Sequence, residues 1–157
     1  MYRGMIKIVA VSMMTLTAWS AGSGPLYDEQ ADARQQIAEA IKRASNSGSS
    51  PRNIVLDFGA NWCFDCHVLE EQMRKPELAV LIEKNFVVVK VDVGRYDKNL
   101  DLAEKYRVPL VKGIPALAVL DSRGRLLYAQ DQGEFQDARH LSFDGIKAFF
   151  ERWKPKR

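Results

Sequence analysis

Two short runs of branched apolar residues, Asn53-Ile54-Val55-Leu56-Asp57-Phe58 and Phe86-Val87-Val88-Val89-Lys90-Val91-Asp92, stand out in this chain with a helix-length stretch between them. Nearly continuous runs of this kind belong to strands covered on both faces of a sheet. Residues 63–75 hold neither Gly nor Pro and offer Val68, Leu69 and Met73 for burial, which predicts a helix. Pro76 should kink or restart it, with a second part reaching about Lys84 through Leu78, Leu81 and Ile82. Strand, helix and strand in this order predict an α/β domain with a central sheet flanked by helices.

The flanking sequence extends the pattern. In residues 28–44, Ala33, Ile37, Ala40, Ile41 and Ala44 recur at helical spacing behind a candidate N-cap at Asp28. The breaker-rich run Ser45-Asn46-Ser47-Gly48-Ser49-Ser50-Pro51 reads as a loop. A short helix is expected over 99–106, a loop over 108–113, a third strand over 116–120 and a fourth over 125–129, the last two joined by the turn Asp121-Ser122-Arg123-Gly124. Residues 130–140 read as polar and irregular. Ser142 then caps a final helix with Ile146, Phe149, Phe150 and Trp153 on its inner side.

Residues 1–20 differ in kind. Arg3 and Lys7 precede an uncharged apolar run over 8–19, and small residues follow at Ala18, Ser20 and Ala21, the layout of a secretory signal peptide cleaved before Ala21. The run is short for a permanent span, which needs about 20 apolar residues; an uncleaved anchor is the alternative. Loss of Arg3 and Lys7 leaves 21 Lys and Arg from 23, against 20 Asp and Glu, so the formal net charge drops from +3 to +1. Nothing in so balanced a chain suggests a nucleic-acid partner, which would call for a concentrated basic face, and Lys154-Pro155-Lys156-Arg157 reads as a solvated end. The length of 157 residues, with 46% hydrophobic and 27% charged, suits one globular domain.

An exported protein that used cysteine as a staple would carry several pairs, whereas this one has two cysteines, Cys63 and Cys66. A Cys-x-x-Cys at a helix start places the first sulfur where free backbone N–H groups and the helix dipole favour an anion. Cys63 is then the candidate nucleophile, since thiolate attacks a disulfide, and Cys66 is one turn along, placed to resolve the mixed disulfide. The spacing alone leaves other readings open. Cys63-Phe64-Asp65-Cys66-His67 also fits the c-type haem attachment sequence, which a visible absorption spectrum would reveal. A zinc site from Cys63, Cys66, His67 and His140 would need converging ligands, and three of these share one helical turn.

The run Val55-Leu56-Asp57-Phe58-Gly59-Ala60-Asn61-Trp62-Cys63-Phe64-Asp65-Cys66 resembles the active-site segment of the thioredoxin superfamily. Gly113-Ile114-Pro115-Ala116 is similar to that family's cis-proline loop, and Lys90-Val91-Asp92 looks like its strand ending; the resemblance covers residues 53–153. It implies a thioredoxin fold, a central mixed sheet flanked by helices; together with the segments read above, the chain divides as signal peptide 1–20, an extra N-terminal helix with the Ser-rich loop over 21–52, and thioredoxin-like domain 53–157. It also implies thiol–disulfide exchange with no bound cofactor, on protein substrates and with a protein that recycles the pair, in the bacterial periplasm or an equivalent exported compartment, with no stable membrane insertion after signal removal. Carried over, Cys63 attacks, Cys66 is the buried resolving thiol, Pro115 is the cis residue facing the disulfide, and Trp62, Gly113 and Ile114 meet the substrate. Asp57 matches the family's buried acid. Desolvation should raise its pKa so that it exchanges a proton with Cys66, and Lys90 would temper that shift if its ammonium arrives.

The sequence also departs from the family. Gly59 stands where thioredoxins often have tryptophan, and Phe64-Asp65 replaces their Gly-Pro or the Gly-His of disulfide isomerases. Asp65 beside Cys63 should oppose thiolate formation, which argues for a reductase or isomerase over a strong oxidant; a protonated His67 would partly offset it. A redox-inactive interaction module would keep the core without the paired thiols, and both are present. The segments 107–112 and 130–140 and the N-terminal helix resemble those of exported thiol–disulfide interchange and disulfide isomerase proteins.

Overall fold

The computed structural model describes residues 24–48 and 50–156; the segment 1–20 read as a signal peptide lies outside them. The elements in chain order are α1 (Ala33–Ser45), β1 (Asn53–Gly59), α2 (Phe64–Met73), α3 (Pro76–Asn85), β2 (Phe86–Asp92), α4 (Leu100–Lys105), β3 (Ala116–Leu120), β4 (Leu126–Ala129) and α5 (Phe143–Trp153). One four-stranded sheet runs in the order β2-β1-β3-β4, with β1 and β2 parallel and the other two pairings antiparallel. This is the mixed sheet of a thioredoxin fold.

All seven residues of β1 are buried, as its unbroken apolar run requires of a central strand. Its side chains alternate between two cores. Ile54, Leu56 and Phe58 pack with Ala33, Ile37, Ala40 and Ala44 of α1 and with Leu102 and Ala103 of α4. Val55 packs with Leu69, Leu78, Ile146 and Phe150 from α2, α3 and α5. Burial of a side chain the size of Phe150 contributes about 1.5–3 kcal/mol, and Asn53 Nδ2 ties the end of α5 to the start of β1 by donating to the Trp153 carbonyl at 2.8 Å.

Four sequence expectations are corrected. The cap of α1 is Asp32, whose Oδ1 accepts from the N–H groups of Arg34 and Gln35; Asp28 instead closes a preceding turn, accepting from Gln30 N–H at its side chain and Ala31 N–H at its carbonyl. Arg125 lies outside β4 because its N–H and Nε both bind the Asp121 carboxylate, which spends it on the turn. A domain start at residue 53 cuts through one core, since Tyr27 is fully buried and α1 shares the core of β1. Finally, 130–140 is not merely a polar excursion: Gln130, Phe135 and Ala138 are buried, and the segment ends in a 3-10 turn at Ala138–His140.

Candidate active site

β1 ends at Gly59, and after three intervening residues the chain enters α2 with Cys63 as its N-cap, φ −79° and ψ 109°. Cys63 and Cys66 are joined by a disulfide. Cys63 Sγ accepts from the Cys66 backbone N–H at 3.1 Å, so the sulfur takes the place that a capping oxygen usually fills, at the positive end of the helix dipole. An anion left on Cys63 by reduction would sit on a donor already aimed at it. Cys66 is 1% exposed and Cys63 5% exposed, so the second sulfur is the sealed one.

Facing the pair is the loop before β3. The Ile114–Pro115 peptide is cis, and the Ile114 carbonyl oxygen lies 3.6 Å from Cys63 Sγ. Gly113 has φ 107°, a left-handed conformation, and a Cβ there would fall 2.6 Å from Gln136 Oε1. Gln130 braces the same loop from behind, its Oε1 accepting from Leu117 N–H at 3.1 Å and its Nε2 donating to the Pro115 carbonyl at 3.4 Å. Around the disulfide Trp62 and Phe64 are exposed; Trp62 donates from Nε1 to the Gly94 carbonyl at 2.7 Å. Ile114 is buried, so of the residues expected to meet substrate, Trp62 has the exposed side chain and Ile114 contributes backbone.

The sheet register sets Asp57 opposite Lys90 on adjacent strands. The Lys90 ammonium does arrive: Nζ lies 2.6 Å from Asp57 Oδ2 and 2.7 Å from Glu70 Oε2. Tyr27 donates from its hydroxyl to Asp57 Oδ1 at 3.0 Å, so both oxygens of the fully buried acid are bonded. The expectation named desolvation of Asp57 with Lys90 as a conditional counterweight, and the acid is buried as part of that ion pair. Burial disfavours the Lys90 cation, but Asp57 and Glu70 outweigh it and hold Lys90 above the ordinary lysine range. Burial likewise pushes Glu70 up, and Lys90 with Arg74 more than reverses this, leaving it below its usual value. Tyr27 is raised well above 10 by burial first and then by the Asp57 charge, so it stays a neutral donor.

Asp65 also has a partner that the sequence did not reveal. Arg139 donates to it three times, from its backbone N–H and Nε to Oδ1 at 3.0 and 3.1 Å and from Nη2 to Oδ2 at 2.6 Å. These side-chain hydrogen bonds hold the Asp65 carboxyl below its usual range. The argument against a strong oxidant took Asp65 as a free negative charge beside Cys63, and that premise is corrected: the charge is neutralised in place. The Arg139 guanidinium also lies 4.9 Å from the Phe64 ring centroid, a cation–π arrangement. His67 is exposed and donates from Nε2 to the Asn61 carbonyl at 2.7 Å.

The geometry also bears on the other readings of the cysteine pair. Cys66 Sγ lies beside Gly59 alongside the Tyr27 hydroxyl, and the His67 Nε2, which a c-type haem would take as a ligand, is bonded to the Asn61 carbonyl. His140 binds Asp137 through Nδ1 at 2.7 Å, and among the described residues no three His, Cys, Asp or Glu converge as metal ligands.

Sequence reasoning missed Tyr27, Asn61, Glu70, Gln130 and Arg139. Glu70 had a signal, since it follows Cys66 by four residues and so shares its helix face. Asn61 lies inside the run that carries the family resemblance with nothing to set it apart, and Tyr27, Gln130 and Arg139 lie outside the strands and α-helices and have no periodic signal.

A family model described as thioredoxin-like matches residues 32–122. Thioredoxin-1 of Drosophila yakuba is 36% identical over 73 residues, 46% of this chain and 61% of that protein, so the match spans less than two thirds of the relative's length. Among solved structures, a disulphide isomerase from Xylella fastidiosa Temecula1 is 40% identical, with a TM-score of 0.77, over 83% of this chain and 98% of that one. A thioredoxin from Trichomonas vaginalis is 26% identical, with a TM-score of 0.51, over 83% and 98% of the respective chains.

Proposed function

The chain belongs to the thioredoxin-like family, and from that premise we propose that it is a thiol–disulfide oxidoreductase acting on protein substrates as a reductase or isomerase. The observation that carries this is the Cys63–Cys66 disulfide at the N-terminus of α2, opposite the Pro115 loop whose Ile114 carbonyl lies 3.6 Å from Cys63 Sγ.

In the reduced protein, the Cys63 thiolate attacks one sulfur of a substrate disulfide. The substrate S–S bond breaks, one substrate thiolate leaves, and a mixed disulfide forms on Cys63. Cys66 gives its proton to Asp57 and attacks Cys63 Sγ, the second substrate thiolate departs, and two electrons have passed to the substrate as the Cys63–Cys66 bond closes. Isomerisation uses the first step and its reversal. The exposed Trp62 and Phe64 and the Ile114 carbonyl surround the attacking sulfur and are positioned to meet an extended substrate segment.

The reductase or isomerase assignment is supported by the extent and identity of the match to the Xylella protein. Export to the periplasm, with a dedicated partner protein to recycle the pair, is part of the proposal and rests on the charged, apolar and small-residue order of residues 1–21.

The test is turnover on a disulfide-bonded protein such as insulin, and on a scrambled ribonuclease, with glutathione as the redox buffer. Cys63→Ser should abolish both activities, and Cys66→Ser should accumulate mixed disulfides visible on non-reducing gels. Retained turnover in Cys63→Ser would overturn the assignment.

A further inference from the structure

Gly59 leaves a gap in the one place where a side chain would separate Cys66 from the N-terminal segment. A Cβ there would overlap the Tyr27 phenolic oxygen and lie 2.9 Å from Cys66 Sγ. The gap is filled by design of the chain around it: Tyr27 arrives from outside the sheet, 30 residues upstream of Asp57, and is fully buried.

What delivers it is Asn61, in the turn between β1 and α2. The Asn61 side chain accepts from Tyr27 N–H at 2.9 Å and donates to the Tyr27 carbonyl at 2.9 Å, a two-point clamp on the backbone of that one residue. Asn61 Nδ2 also reaches Glu29 Oε1 at 3.0 Å, and Lys98 Nζ donates to the Glu29 carbonyl at 3.2 Å, so the strap is pinned on both sides of the turn. Any buried tyrosine hydroxyl must find a partner, so the informative point is which partner it takes. This one spends its hydroxyl on Asp57.

We propose that Tyr27 is a positioning residue for the resolving step: its hydroxyl holds the Asp57 carboxylate in the orientation that accepts the Cys66 proton, at the gap left by Gly59. The inference rests on the thiol–disulfide reading and adds to it a residue outside the Cys-x-x-Cys segment. The hydroxyl is bonded to Asp57 of β1; Lys90 Nζ of β2 lies 5.5 Å from the Tyr27 ring centroid, Cys66 of α2 lies across the Gly59 gap, and the charges of Glu70 on α2 and of Asp92 on β2, the latter paired with Lys98, act on the same group. The step is balanced: the Cys66 S–H proton passes to Asp57, the new Cys66–Cys63 bond forms, and the bond from Cys63 to the departing thiolate breaks.

Tyr27→Phe keeps the ring in the slot and removes only the oxygen. Reduced protein is mixed with 5,5′-dithiobis(2-nitrobenzoate), whose reaction with Cys63 releases one thionitrobenzoate and whose displacement by Cys66 releases the second. The two phases separate attack from resolution without any physiological substrate. Tyr27→Phe should slow the second phase about tenfold near pH 7, a part of the roughly 10²–10⁴-fold that a general base contributes, since the base itself is kept. It should leave the first phase within about twofold, and move the pH midpoint of the second phase upward because the carboxylate has lost a donor. Unchanged second-phase rate and midpoint would overturn the inference, and so would a parallel fall of both phases with the melting temperature, the signature of packing alone. Asn61→Ala, which keeps the hydroxyl and loosens the clamp, should show the same selective slowing to a smaller degree; if Tyr27→Phe does not fold, equal phases in Asn61→Ala overturn the inference on their own. A wild-type protein that releases the first thionitrobenzoate and never the second overturns the exchange reading, and the inference with it.

Discussion

Arg139 grips Asp65 through three hydrogen bonds across 74 residues of sequence, so the acidic position inside the Cys-x-x-Cys motif is half of an ion pair. The contact fastens the 130–140 segment to the first turn of α2, and it keeps a negative charge from acting alone next to the Cys63 sulfur.

Arg139→Gln should make the Cys63–Cys66 couple more reducing. With Asp65 unpaired, the Cys63 thiolate is opposed, the reduced form loses stability, and the potential falls by roughly 10–30 mV, a two- to tenfold change in the equilibrium with glutathione. Asp65→Asn should move it the other way, because the Arg139 cation is then uncompensated. The measurement is redox equilibration of the three proteins in graded glutathione buffers, and coincident curves would show that neither charge is felt at the sulfur.

The pair also sets a pH window. Asp65 is held below its usual value, so the stability it contributes is present above the unfolded carboxylate pKa of about 3.9 and is lost as pH falls through the lower folded value. The difference in melting temperature between wild type and Arg139→Gln should therefore be constant from about pH 5 to 8 and shrink below about pH 4. Added salt should narrow it at neutral pH, because Arg139 is half exposed.

Gly59→Ala should destabilise the protein by about 1–3 kcal/mol, the range for overpacking a filled core. The new methyl meets a rigid ring and a sulfur of the active pair. The penalty should shrink in a Tyr27→Leu background, where the phenolic oxygen is gone, and a double-mutant cycle in chemical denaturation reads the coupling. Additive penalties would mean that Tyr27 and Gly59 do not share the gap.

Much of this molecule was legible in the amino-acid order. The strand runs over 53–58, 86–92 and 116–120 appear in the structure within a residue of their expected ends, because each is a short apolar stretch whose neighbours already break it. Cys63 at the start of a helix, the break at Pro76 and the cap at Ser142 are local facts of the same sort, decided by backbone groups a few residues apart. The Asp57–Lys90 pair follows almost as directly, since two parallel strands in register must set these positions side by side.

What surrounds the sulfurs was settled by the tertiary structure. Tyr27 on Asp57, Asn61 on Tyr27, Gln130 on Pro115 and Arg139 on Asp65 each bring in a residue from a segment with no apolar period, to a partner between 15 and 74 residues away. A periodic pattern records which face of an element must leave water. It holds no record of which irregular segment will fold back to satisfy a buried polar group, because that choice is made only when the elements have packed and the unpaired donor or acceptor has become costly. The sequence by itself determined the fold and the reacting atoms, and the packing decided the charges and hydrogen bonds in which they react.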